Sequence, residues 1–263
     1  MTWYILAVAG AFGLVIGSFV NVVVWRVPRG ESVVRPPSAC PTCHAAIRPM
    51  DNVPVVSWLV LRGRCRDCGA RISRRYPLVE ATTGLLFVLV AVRFLGGGTL
   101  AWAVPAYLYL AAVAVALTLI DVDTHRLPNL IVLPSIPVML VLLGGASAIT
   151  GEWSRFGTSV LGGLVLFVLY AVIVLAYPRG MGLGDVKLAA VIGLALGWFG
   201  WGTLAVGAFT AFLLGGGFSI VLLVLRRANR RTALPFGPWM FAGAGVGIAV
   251  GTPLWSAYLG LFA

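Results

Sequence analysis

Residues 100–123, LAWAVPAYLYLAAVAVALTLIDVD, decide the fold: 21 residues without a charge run directly into two carboxylates. A membrane-spanning helix needs about 20 mainly apolar residues, and this stretch supplies them. Working outward, the same signal recurs at 3–25, 78–95, 130–149, 157–177, 187–200, 203–225 and 236–262. The sixth of these eight stretches is short and contains glycine, and the eighth is long and interrupted by Gly251 and Pro253. Composition agrees. Of 263 residues, 60% are hydrophobic and 10% are charged, against roughly 25% charged in an ordinary soluble domain. Such a chain cannot cover itself with a water-facing surface, which excludes a soluble cytosolic or secreted protein and a disordered or nucleic-acid-coating one. The predicted fold class is an all-α polytopic membrane protein with about eight transmembrane helices and one small loop domain.

Charge orients the spans. Lys and Arg exceed Asp and Glu by 19 to 8, a net charge of +11, and cytoplasmic loops of membrane proteins carry the basic excess. No Lys or Arg precedes Arg26, so the first segment lacks the basic start of a cleavable signal peptide. It is expected to be a retained anchor with a cytoplasmic C-terminal end. Eight spans then place loops 26–77, 121–130, 178–187 and 226–235 in the cytoplasm. These hold 10, 1, 2 and 4 basic residues, 17 of the 19, leaving Arg93 and Arg155 outside. Both termini are predicted outside, and a seven-span arrangement would scramble the pattern.

The only sizeable polar stretch is 26–77, so the chain divides into a first helix (1–25), a loop domain (26–77) and a seven-helix core (78–263). All four cysteines lie in the loop, as Cys40-Pro-Thr-Cys43 and, 21 residues on, Cys65-Arg-Asp-Cys68. Two C-x2-C knuckles present four thiolates to one tetrahedral ion, which suits zinc. Four sulfur ligands leave no open position for a catalytic water, so the role is structural. Disulfides are disfavoured because cytoplasmic thiols stay reduced. Ten arginines in this loop outweigh Glu31, Asp51 and Asp67. With Trp58 and Tyr76 the only aromatic interleaving, they read as a face for anionic headgroups, not as a nucleic-acid surface.

Eight acids remain informative by position. Asp121 and Asp123 end the third span, Asp185 opens the sixth in GMGLGDVKL (180–188), and Glu80 starts the second in RYPLVEATTG (75–84). All are expected on one membrane face. Carboxylates at a membrane border are costly, and each is a functional candidate by default. Two residues apart on a helix, Asp121 and Asp123 point about 200° apart, so at most one can meet Asp185. Spacing does not choose between them. Gly182 and Gly184 lead into Asp185 and permit close approach of another backbone. Two facing carboxylates can share a proton, one activating water and the other protonating a carbonyl. With the cysteines committed to the knuckles and only His44 and His125 present, no Ser-His-Asp or Cys-His set competes.

At this point the chain resembles the bacterial prepilin peptidases, the type IV leader peptidases of the Gly-x-Gly-Asp aspartyl protease class. The resemblance is carried by GSFVNVVVWRVPRGES (17–32), the CPTC knuckle, NVPVVSWLVLRGRCRDC (52–68), ISRRYPLVEATTG (72–84), IDVDTHRLPN (120–129), GMGLGDVKL (180–188) and PFGPWMFAG (235–243). These stretches stand in family order over nearly the whole chain. The resemblance implies a catalytic pair of Asp121 and Asp185, deciding against Asp123, with Gly182, Gly184 and Lys187 in support. It leaves open whether Asp123 or Glu80 contributes. It also implies a bacterial inner-membrane location. The implied reaction is cleavage of the basic leader of type IV prepilins and pseudopilins, just after a glycine, at the cytoplasmic face. Members with the cysteine-bearing loop also resemble enzymes that N-methylate the new N-terminus with S-adenosylmethionine. The residues themselves do not show that second activity, because no glycine-rich nucleotide-binding turn follows a strand in the loop.

Two other classes of function compete. In a proton- or cation-coupled transporter, Asp121 and Asp185 would be ion ligands, but such groups normally lie near the bilayer midplane between repeats. Here they lie at one rim, with no obvious repeat. A membrane-anchored zinc-ribbon adaptor would explain the loop and leave both aspartates without a role.

Overall fold

The computed structural model describes residues 2–178, 181–226 and 234–262. The expected basic segment 226–235 falls mostly on 227–233, and residues 179–180 belong to the loop 178–187; both lie outside the described residues. The elements are α-helical: α1 (Thr2–Arg26), α2 (Val56–Val60), α3 (Arg75–Phe94), α4 (Val104–Thr124), α5 (Asn129–Thr150), α6 (Trp153–Ala176), α7 (Leu183–Gly197), α8 (Trp201–Val224) and α9 (Gly237–Leu259). Among the described residues, seven helices are long and apolar enough to cross a membrane. The helix at the expected sixth span is α7, only 15 residues long.

The chain forms two compact units, Met1–Ala116 and Leu117–Ala263, with the boundary inside α4. In the first unit, α1 packs along α3 through a small-residue seam. A Cβ on Gly13 would stand 2.8 Å from the Gly84 Cα, and one on Gly17 would stand 2.7 Å from the Glu80 Cα. Membrane helices gain no hydrophobic drive from leaving lipid, so close backbone approach and dispersion must hold them. Gly13-x3-Gly17 provides that approach on one helical face.

The second unit uses the same device twice. Gly162 of α6 faces Gly193 and Gly197 of α7, where a Cβ would come within 2.7 Å of the Gly193 carbonyl. The Ser159 hydroxyl donates to the Leu194 carbonyl at 2.6 Å across that seam. Gly243, Gly247 and Gly251 line the α9 face toward Thr203, Gly207 and Ala211 of α8. Helix α7 packs against α5, α6, α8 and α9, and nearly every residue from Asp185 to Gly197 is buried. At 1.5 Å per residue, its 15 residues reach about 22 Å. That length falls short of a bilayer core of about 30 Å, and α7 meets protein around its circumference instead of lipid. Its N-terminal end carries Asp185.

Candidate functional site

Three breaks in the helices of the second unit converge on one recess. The first is the α4–α5 turn. His125 takes the left-handed conformation (φ 53°), and its N–H donates to the Asp121 carbonyl at 2.8 Å, closing α4 as a C-terminal cap. The second is the entry to α7, where Gly182 is the N-cap and Asp185 lies in the first turn. The third is the start of α9, with Gly237 as its first residue and Pro238 beside it. Proline suits the first turn because its missing N–H has no intrahelical partner there.

The recess has a volume of about 350 Å³ and is lined by Asp121, His125, Arg126, Leu127, Pro128, Asn129, Gly182, Gly184 and Asp185. Asp121 is 4% exposed and Asp185 is 8% exposed. Each carboxylate accepts one backbone N–H from a glycine: Asp121 Oδ2 from Gly237 at 2.9 Å, and Asp185 Oδ2 from Gly182 at 3.0 Å. The second bond is the N3 side chain reaching back to the N-cap amide, the carboxylate half of a capping box. It fixes the Asp185 rotamer from within its own helix. Both carboxylates line the same recess. Leu127 packs between the two glycine-bearing turns, with its side-chain carbons 3.4 Å from a Cβ position on Gly237 and 3.0 Å from one on Gly184.

Of the residues singled out in the sequence, Asp121, Asp185, Gly182 and Gly184 meet at this recess. Lys187 stands one step away, its Nζ donating to Asn129 Oδ1 at 2.9 Å, which ties the start of α7 to the start of α5. Asp123 is exposed and is not among the lining residues, the outcome the 200° separation allows. Gly237 and Asn129 were not singled out. The Gly-Pro step opening α9 is a legible helix start, but nothing in the sequence reveals that its amide points at a carboxylate from another helix.

In the first unit, the four cysteine sulfurs lie within 4.8 Å of one another. Cys40 and Cys68 are 3.8 Å apart and Cys43 and Cys65 are 4.0 Å apart. Tetrahedral zinc with Zn–S bonds near 2.3 Å requires sulfurs about 3.8 Å apart, so this donor set fits the ion. The knuckles are built alike. Cys40 N–H donates to the Ala45 carbonyl and Cys65 N–H to the Ala70 carbonyl, with the returns His44 to Cys40 and Gly69 to Cys65. Both turns pass through positive φ, at His44 (59°) and Gly69 (72°). The amides of Cys43 and Thr42 aim at the Cys40 sulfur and pull its pKa down to about 6, favouring the thiolate that metals bind. Arg66 forks onto Asp51 and Arg48 meets Asp67, each pairing one knuckle's flank with the other knuckle.

Glu80 lies in this unit too, 8% exposed. It takes the Val55 amide on Oε2 at 2.7 Å.

Fold and site together define a polytopic membrane protein with a buried carboxylate pair at a recess between helix ends. Residues 11–94 match the Bacterial Peptidase A24 N-terminal domain and residues 108–225 match the Type IV leader peptidase family. The chain belongs to the type IV leader peptidase family. It is 36% identical to a prepilin leader peptidase/N-methyltransferase of Aeromonas hydrophila, over 98% of this chain and 95% of the relative. Proteins of the same name from Pseudomonas aeruginosa and Neisseria gonorrhoeae are 35% and 34% identical, over 94% and 97% of this chain and 91% and 93% of theirs. No solved structure matches the chain. Family membership sets aside the transporter reading.

Proposed function

We propose that this protein is a membrane aspartyl endopeptidase that removes the leader of type IV prepilins and pseudopilins and N-methylates the new N-terminus. The observation that carries the cleavage reading is the pair of buried carboxylates, from two different helices, each oriented by a glycine amide at one recess. In this reading Asp121 and Asp185 share one proton. The ionised partner takes a proton from water as its oxygen attacks the scissile carbonyl, and the protonated partner donates to the carbonyl oxygen. Collapse of the tetrahedral species returns a proton to the leaving amine. Gly182 and Gly184 keep the recess wall free of side chains so that an extended substrate backbone can approach. Lys187 and Asn129 hold α7 and α5 in register.

The four cysteines hold a structural zinc that folds the loop domain 26–77. The carboxylate recess faces the cytoplasm, both termini lie outside, and the arginine-rich loop rests on anionic headgroups. The membrane is the bacterial inner membrane. S-adenosylmethionine supplies the methyl group.

The test is direct. Purified protein is incubated with a prepilin, with and without S-adenosylmethionine, and product masses are measured. Cleavage after a glycine, plus 14 Da only when the donor is present (the mass of one added CH2), is expected. A prepilin that stays full length where a known family enzyme works overturns the peptidase reading.

A further inference from the structure

One buried carboxylate takes no part in the peptidase pair. Glu80 sits where α3 meets α1, and Gly17 brings the two backbones together there. Its neighbours are the Val55 amide and the Ser18 hydroxyl, both neutral. The amide is delivered by an unusual backbone. Val55 has φ 62° and ψ −49°, and Val56 N–H closes onto the Pro54 carbonyl at 2.6 Å. This is a γ-turn of the rare, strained form, here with a β-branched residue at its centre. Strain of this kind concentrates at functional sites. Ser18 also lines a cavity of about 320 Å³. Its wall is apolar along one face of α1, through Phe19 and Val22, and carries Ser18, Asn52 and Pro54 at the loop end.

A buried carboxylate whose described hydrogen-bond partners are neutral, joined through Ser18 to a largely apolar recess, can offer its charge to a cation carried on an apolar group. We infer that this recess receives the free N-terminal ammonium of the cleaved chain, and that Glu80 is the group that accepts its proton before methyl transfer. The inference rests on the methylation reading above. The balance is complete. The ammonium gives one proton to the Glu80 carboxylate through the Ser18 hydroxyl, which lines the recess, leaving an amine lone pair. That pair forms the N–CH3 bond with a sulfonium methyl donor as the C–S bond breaks, its electrons remaining on sulfur. The products are a methylammonium terminus and a neutral thioether, and Glu80 later releases its proton to water. The bland alternative is that Glu80 merely pins the γ-turn.

Glu80→Gln separates the two, because the amide oxygen still accepts the Val55 N–H while the charge is gone. Zinc content and thermal midpoint report folding. The methylated fraction of cleaved product, measured by mass at short times, is expected to fall by about 10²- to 10⁴-fold in rate. An unchanged methylation rate in a folded Glu80→Gln protein overturns the assignment. A second measurement does not depend on methylation. A fluorescent peptide with the mature N-terminus is expected to bind wild-type protein at least tenfold more tightly with a free amine than when N-acetylated. Glu80→Gln should erase that difference, and equal binding of the two peptides by wild-type protein also overturns the proposal. A wild-type protein that cleaves but never methylates instead removes the methylation reading, while the amine preference still decides whether the recess binds the terminus.

Discussion

Asp121 is oriented by one backbone amide, and the residue offering it has no room for a side chain. A Cβ on Gly237 would lie 2.8 Å from Asp121 Oδ2, too close to coexist with the 2.9 Å hydrogen bond. Alanine is otherwise comfortable at the start of a helix, so Gly237→Ala should leave the fold intact and push the carboxylate aside. Misplacement by about 1 Å costs on the order of 10²-fold in rate. Gly237→Ala is therefore expected to cleave prepilin about 100-fold more slowly at a near-native thermal midpoint, and wild-type turnover would show that this amide does not orient the pair. The isosteric changes Asp121→Asn and Asp185→Asn keep an oxygen for Gly237 and Gly182 while removing the exchangeable proton. Each should reduce cleavage by roughly 10³-fold, within the range of general acid–base catalysis. Retention of a tenth of the activity by either variant in a timed cleavage assay would remove that residue from the pair.

At the scale of elements, helix positions were legible because lipid demands uninterrupted apolar runs, and the helices begin and end within a few residues of the expected spans. What packs against what was not. Gly13, Gly162 and Gly243 look alike in the sequence, and only tertiary approach shows which seam each one closes. The carboxylate pair was half legible. Helical spacing excluded joint use of Asp121 and Asp123 but could not choose, since the choice depends on which face of α4 turns inward. Gly237 lay beyond reach, being 116 residues from Asp121. The four-cysteine cluster was legible for the opposite reason, because its members are local in sequence. The loop's stability should follow the metal. Chelation, or Cys40→Ser or Cys68→Ser, is expected to abolish zinc in metal analysis and to make the 26–77 loop the first site of proteolysis, since metal-binding energy is folding energy here. Asp51 adds an acid limit. The Arg66 guanidinium holds its carboxyl below the usual range, so its stabilising contribution is present above about pH 4 and lost as pH falls further. Asp51→Asn should lower loop protection at pH 7 and remove part of its decline below pH 4, so that variant and wild type converge in acid.

At the scale of the whole molecule, the question is what the excess of positive charge does once topology is set. In the loop 26–77, nine of the ten arginines are exposed: Arg29, Arg35, Arg48, Arg62, Arg64, Arg66, Arg71, Arg74 and Arg75. Arg48 and Arg66 are engaged with Asp67 and Asp51, and Arg29 lies over the Trp25 ring at 3.6 Å, an arrangement suited to the end of a span at the headgroup level. The implied substrates have basic leaders, so direct attraction between loop and leader is ruled out by sign. In the proposed reading, anionic lipid resolves the conflict. Each basic side chain near such a surface gains about 1 kcal/mol, and one layer of headgroups can hold both partners at the same depth. Cleavage by protein reconstituted in purely zwitterionic bilayers is therefore expected to be several-fold slower than in bilayers with about a third anionic lipid. The gap should close near 1 M salt, where the screening length shrinks to about 3 Å. The measurement is an initial rate at fixed protein-to-lipid ratio across both compositions and two salt concentrations. Equal rates in the two bilayers at low salt would mean that the basic face serves topology alone.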